Sequence, residues 1–137
     1  TAKVKEAYLK VGIDAEVLHF IDNMAEAYSW ADILIARSGA GTVMEVGVVN
    51  RPCIFVPFPF AQGDHQTANA LTLVNAGKAL IAKEGEDFEK RLYIALGKIL
   101  EPNAYFAMKL AKYDSRSLDA AEKIASGCLK LLEKSRS

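Results

Sequence analysis

Cysteine, histidine, proline and tryptophan are all scarce in this chain, at two, two, four and one among 137 residues. Each scarcity excludes something. Cys53 and Cys128 lie far apart, one in an apolar strand-like run and one in a helical pattern, so neither a disulfide framework nor a thiolate metal cluster is expected. Both read as buried thiols of a reduced compartment. With His19 and His65 as the only histidines, no metal-ligand spacing emerges. Proline is too rare for a polyproline linker. Charge of neither sign is in excess: 17 basic side chains face 17 acidic ones. That balance argues against a general nucleic-acid-binding role, which needs a basic surplus, although a local basic patch stays compatible with it. No apolar run approaches the roughly 20 residues of a membrane span, and no signal peptide opens the chain. The first residue is Thr1 rather than Met, which suggests processing or a piece of something longer.

What remains is the composition of an ordinary globular protein, 51% hydrophobic and 25% charged, long enough to bury one core. A single domain over 1–137 is expected.

The punctuation of the chain predicts alternating elements. Residues 2–11 read as an amphipathic helix closed by Gly12. Glu16–Phe20 reads as a short strand ending near His19, to which no role falls. Asp22 or Asn23 can cap a helix to Trp30, with Met24, Tyr28 and Trp30 read as its packing face. Asp32–Ala36 is a strand, 41–49 a helix ended by Asn50-Arg51-Pro52, and Cys53–Pro57 a strand. A turn-rich loop follows, Phe58-Pro59-Phe60-Ala61-Gln62-Gly63-Asp64, with Asp64 a plausible N-cap. Then come a helix from His65 to Asn75 closed by Gly77, a strand at Ala79–Ala82, and helices near 86–100, 102–112 and 117–134. The last of these is capped around Asp114–Ser117. Tyr105, Phe106 and Tyr113 read as packing for these terminal helices. Strands separated by helices of this length give right-handed crossovers and a parallel sheet. The fold class is therefore α/β, a Rossmann-like parallel sheet with flanking helices. Only four strands are visible where six are common, so the first strand or strands are expected outside the chain.

In such sheets ligands bind beyond the carboxyl ends of the strands. Two segments fall there. The first is Arg37-Ser38-Gly39-Ala40-Gly41-Thr42-Val43-Met44-Glu45: a strand exit, a small-residue turn and a helix start. It is not the dinucleotide fingerprint, since Met44 stands at the third glycine position, and no Gly-Lys-Ser/Thr follows to make a P-loop. Small residues at Ser38, Gly39, Ala40, Gly41 and Thr42 let phosphates approach backbone N–H groups, and Glu45 one turn on can accept both hydroxyls of a ribose. A plain strand–helix turn and a solvated first-turn glutamate fit the spacing equally well. The second segment starts the helix at His65-Gln66-Thr67. Gln66 can both donate to and accept from sugar hydroxyls, while His65 reads as structural at least as readily as catalytic. Asn69 supports either reading. Pro57–Phe60 fits a packed strand exit as well as a ligand wall. No catalytic triad, paired carboxylate or convincing general base is present.

These blocks carry a resemblance. Asp22-Asn23-Met24-Ala25-Glu26-Ala27-Tyr28, Ala31-Asp32, Arg37-Ser38-Gly39-Ala40, Thr42-Val43, Glu45, Pro52, Phe55-Val56-Pro57 and Asp64-His65-Gln66-Thr67-Ala68-Asn69-Ala70 resemble the C-terminal domain of the MurG family. These are GT-B glycosyltransferases of family 28 that transfer N-acetylglucosamine from UDP-GlcNAc to lipid I in bacterial peptidoglycan synthesis. The resemblance implies an inverting, cofactor-free and metal-free transferase at the cytoplasmic face of the membrane. By it, Ile21 contacts the uracil, Ala40, Gly41, Thr42, Val43 and Met44 hold the diphosphate and nucleoside, and Glu45 binds the ribose. Gln66, with His65 beside it, faces the donor sugar. The family's acceptor-binding N-terminal domain, which binds lipid I and contributes the proposed base, has no counterpart here. Nor has the Gly-Gly-Ser-Gln-Gly type turn that opens the family's C-terminal domain, and Gly41 replaces a residue that is often larger. The expectation is a donor-binding piece, inactive alone. The alternatives are a nucleotide-sugar subunit of a split GT-B enzyme with a separate membrane partner, or a related epimerase or lipid glycosyltransferase.

Overall fold

A computed structural model describes residues 2–59 and 65–112. The expectations for Phe60–Asp64, Tyr113, the cap at Asp114–Ser117, the helix at 117–134 and Cys128 lie outside the described residues. The chain divides into two compact units, Thr1–Trp30 and Ala31–Ser137.

The first unit carries α1 (Ala2–Lys10) and α2 (Met24–Trp30). α1 ends as its glycine predicts. Gly12 takes the left-handed conformation at φ 71°, and the N–H of Ile13 returns to the carbonyl of Tyr8 at 3.0 Å. α2 begins on Asn23, whose side-chain oxygen accepts from the N–H of Glu26 at 3.1 Å. Two expectations fail here. Glu16–Phe20 is not a strand, because no described residue of this unit offers a ladder for it. Nor is α2's apolar face packed: Trp30 is 86% exposed, and no described residue of the unit is buried.

The second unit is an α/β sandwich. β1 (Leu34–Ala36), β2 (Cys53–Phe55) and β3 (Ala79–Ile81) form a parallel sheet in the order β1-β2-β3. The helices between and after them are α3 (Ala40–Val48), α4 (His65–Asn75), α5 (Phe88–Ile99) and α6 (Pro102–Leu110). Successive residues of β2 point to opposite faces, and each face has its own core. Cys53 and Phe55 pack with Val43, Val46, Ala70 and Leu73 of α3 and α4. Ile54 packs with Ala95, Ile99 and Met108 of α5 and α6. β2 is buried at every position, while Ile35 in edge strand β1 stays half exposed. Among the described residues three strands replace the four expected, all parallel.

The helix ends follow local chemistry. Gly77 closes α4 at φ 77°, with the Lys78 N–H on the Leu73 carbonyl at 2.9 Å. Glu101 caps α6 by accepting from the N–H groups of Asn103 and Ala104 at 3.1 and 2.8 Å, with Pro102 at the first helical position. Tyr105 reaches the Asp32 carbonyl at 3.0 Å and meets the Phe106 ring edge-on at 5.6 Å, although Phe106 is mostly exposed.

Candidate functional site

The register aligns Ala36, Phe55 and Ile81, so the chain leaves all three strands along one edge. At that edge Arg37-Ser38-Gly39 turns from β1 into α3. Gly39 is extended, at φ −61° and ψ 154°, and α3 has no side-chain cap. The first intrahelical bond runs from the Val43 N–H to the Gly39 carbonyl at 3.0 Å. The N–H groups of Ala40, Gly41 and Thr42 therefore have no acceptor within the helix and carry its positive end. Space around them is open: a Cβ built on Gly41 meets nothing within 4 Å.

Glu45 lies exposed on the same helix, one turn beyond Gly41. Val43 does not share that outlook, since its side chain is buried in the core between α3 and α4. Met44 is half-buried.

Ser38 is fully buried, and its hydroxyl donates to the Gln66 backbone carbonyl at 2.7 Å. Its own carbonyl accepts from the Asn69 side-chain amide at 3.1 Å. These two bonds stitch the β1 exit to the first turns of α4. Gln66 is held at its side chain as well. Its Oε1 accepts from the Phe58 backbone N–H at 2.7 Å, and its Nε2 lies 4.0 Å from where a Gly39 Cβ would sit. The amide's oxygen is thus engaged, and its NH2 faces the Gly39 turn. His65, the first residue of α4, is exposed.

The structure thus brings Ser38, Gly39, Ala40, Gly41, Thr42, Glu45, His65 and Gln66 to one edge of the second unit. Ile21 belongs to the first unit, where it is exposed at the end of an irregular segment. Three residues were missed or undervalued by sequence reasoning. Arg37 donates to Glu84 at 2.9 and 3.3 Å, lies near the carbonyls of Val56 and Pro57 at 3.3 and 3.4 Å, and stacks over Phe58 at 5.4 Å. Glu84 gave no signal, standing in a short polar loop far along the chain. Asn69 left its Ser38 contact undeclared, although helical spacing already put it one turn beyond Gln66.

Burial dominates the titration of two groups near this framework. The Cys53 thiol, within β2, is pushed from 9.0 up to about 12 by desolvation, so it is a packing group rather than a nucleophile. Burial also lowers the pKa of Lys78, whose Nζ donates to the Ala111 carbonyl at the end of α6 at 2.7 Å.

Comparison with known proteins identifies the family. The model of the glycosyltransferase family 28 C-terminal domain matches residues 1–124. The chain is 40% identical over 125 residues to a Chromohalobacter salexigens protein, covering 91% of this chain and 34% of that one. It is 43% identical over 129 residues to an Aeromonas hydrophila protein, covering 93% and 36%. Both relatives are named UDP-N-acetylglucosamine--N-acetylmuramyl-(pentapeptide) pyrophosphoryl-undecaprenol N-acetylglucosamine transferase. The crystal structure of Acinetobacter baumannii MurG is similar with a TM-score of 0.58 at 36% identity, over 81% of this chain and 34% of that one. The chain thus spans about a third of the length of the relatives it matches. With a family match over residues 1–124 and a fold shared with a MurG structure, the chain belongs to the glycosyltransferase family 28 C-terminal domain family.

Proposed function

We propose that this chain is the donor-binding domain of an N-acetylglucosaminyltransferase, which holds UDP-GlcNAc while the sugar passes to lipid I to give lipid II. The uncapped start of α3 beside the Gln66 amide carries this reading. Its open N–H groups at Ala40, Gly41 and Thr42 suit a diphosphate. Glu45 suits the ribose diol, while the uracil contact of Ile21 rests on the resemblance alone. The NH2 of Gln66 suits an oxygen of the donor sugar, with His65 next to it. Ser38 and Val43 act from behind, fixing the turn and the helix rather than reaching the ligand.

In the complete reaction the muramyl 4-hydroxyl attacks the anomeric carbon. The bond from that carbon to the diphosphate breaks, UDP leaves with the electron pair, and the hydroxyl proton passes to a base outside this sequence. The α3 N-terminus stabilises the charge growing on the leaving diphosphate. The reaction class needs no redox cofactor, and a polyprenyl-linked acceptor fits a whole enzyme that works peripherally at a membrane, by the resemblance at its cytoplasmic face. No helix among the described residues is long and apolar enough to cross a membrane.

Calorimetric titration with UDP and UDP-GlcNAc tests the assignment. Glu45→Ala removes a charged acceptor, and the expected loss of UDP affinity is roughly 1.5–3 kcal/mol. Unchanged affinity in a folded variant would refute the ribose contact.

A further inference from the structure

Arg37 leaves β1 and reaches the exits of both other strands. Its Nη1 lies 3.3 and 3.4 Å from the carbonyls of Val56 and Pro57, beyond β2. Its two terminal nitrogens meet both carboxylate oxygens of Glu84, beyond β3, at 2.9 and 3.3 Å. The guanidinium lies 5.4 Å from the centre of the Phe58 ring, and the Phe58 N–H is the group that holds Gln66 Oε1 at 2.7 Å. An ion pair this exposed, at 48% and 32%, adds little to stability. Its fork geometry does something else, because a two-point pair fixes orientation as well as distance.

We infer that Arg37 and Glu84 form a positioning clamp that sets the face Gln66 shows to the donor sugar. Glu84 fixes the plane of the guanidinium. The guanidinium fixes the Val56-Pro57-Phe58 backbone, and the Phe58 N–H then decides which way the Gln66 amide is turned. With Oε1 engaged, only the NH2 is offered at the Gly39 turn. The clamp therefore selects a hydrogen-bond acceptor on the ligand, a hydroxyl or acyl oxygen of the sugar. Neither Arg37 nor Glu84 needs to touch the ligand. The selective role rests on the donor-site reading above; the clamp itself does not.

Two measurements on the full chain separate these. Amide hydrogen exchange at Phe58 reads the clamp directly. Glu84→Gln keeps the shape and removes the charge, and Arg37→Lys keeps the charge and removes the fork. Each is expected to speed Phe58 exchange by about tenfold. Calorimetry reads the consequence. Each variant is expected to lose UDP-GlcNAc affinity by about three- to tenfold while UDP affinity holds, a change in ratio that general destabilisation does not produce. Gln66→Ala is expected to abolish that difference between wild type and variants. Unchanged Phe58 exchange in either folded variant overturns the clamp, whether or not nucleotide binds. Faster exchange with an unchanged UDP-GlcNAc to UDP ratio overturns the selective role. A wild-type chain that binds neither nucleotide removes the donor-site reading, and the exchange result still decides the clamp.

Discussion

The buried Ser38 hydroxyl finds its partner in the Gln66 backbone carbonyl, so Ser38→Ala deletes a buried hydrogen bond and leaves that carbonyl only its helical donor. The expected cost is about 1–2 kcal/mol in chemical denaturation. Cys53 gives a pH signature with a definite sign. Its folded pKa of about 12 stands above the 9.0 of an open thiol, so the folded state binds more protons between those values. Its contribution is intact below pH 9 and fades as pH rises toward 12. Near pH 10.5 the loss reaches up to about 2 kcal/mol. Thermal melts should therefore fall more steeply with alkaline pH for wild type than for Cys53→Ala. Lys78 works against this trend. Its lowered pKa means the unfolded chain binds the extra proton, so its term rises with pH over the window below 10.5.

Elements were most legible where a local device announced them. Gly12 and Gly77 each close a helix in the left-handed conformation that their lack of a side chain allows. Asn23 caps α2, and the turn from β1 into α3 falls where the run of small residues put it. The cap of α6 is also local. Glu101→Ala removes the acceptor for two N–H groups and should cost about 1 kcal/mol, seen as a lower denaturation midpoint. Glu16–Phe20 shows where local reading stops. A run with β propensity becomes a strand only when a neighbour completes its ladder, and no sequence pattern reports the neighbour. The site divides in the same way. Glu45 and Gln66 were readable as polar residues near helix starts. The use of Ser38, Asn69, Arg37 and Glu84 depends on three strand exits converging, a property of the sheet rather than of any short motif.

At the scale of the whole molecule, the proposed function gives the sheet one half of a reaction. The proposed site offers amides for a diphosphate, a carboxylate for a ribose and an amide for a sugar, and the proposal leaves the base for the acceptor hydroxyl to another domain. The purified 137-residue chain is expected to bind UDP-GlcNAc and to transfer no sugar to lipid I. Radiolabelled transfer by this chain alone would overturn that division of labour. Activity restored by adding an acceptor-binding chain in trans would support it.

The β1-β2-β3 order has a consequence for how the second unit is made. Leu34 pairs with Cys53, and Cys53 pairs with Ala79, so each strand bonds to the one just before it in synthesis. None of the three described strands waits for a distant segment to arrive. Loop closure then costs one helical crossover at a time, which keeps contact order low for a parallel sheet. On a ribosome, β1, α3 and β2 can associate before α4 has emerged, and each later element finds its apolar face already in place. The turn at Gly39 would be built first, and the strands and helices that brace it would be added in order of translation.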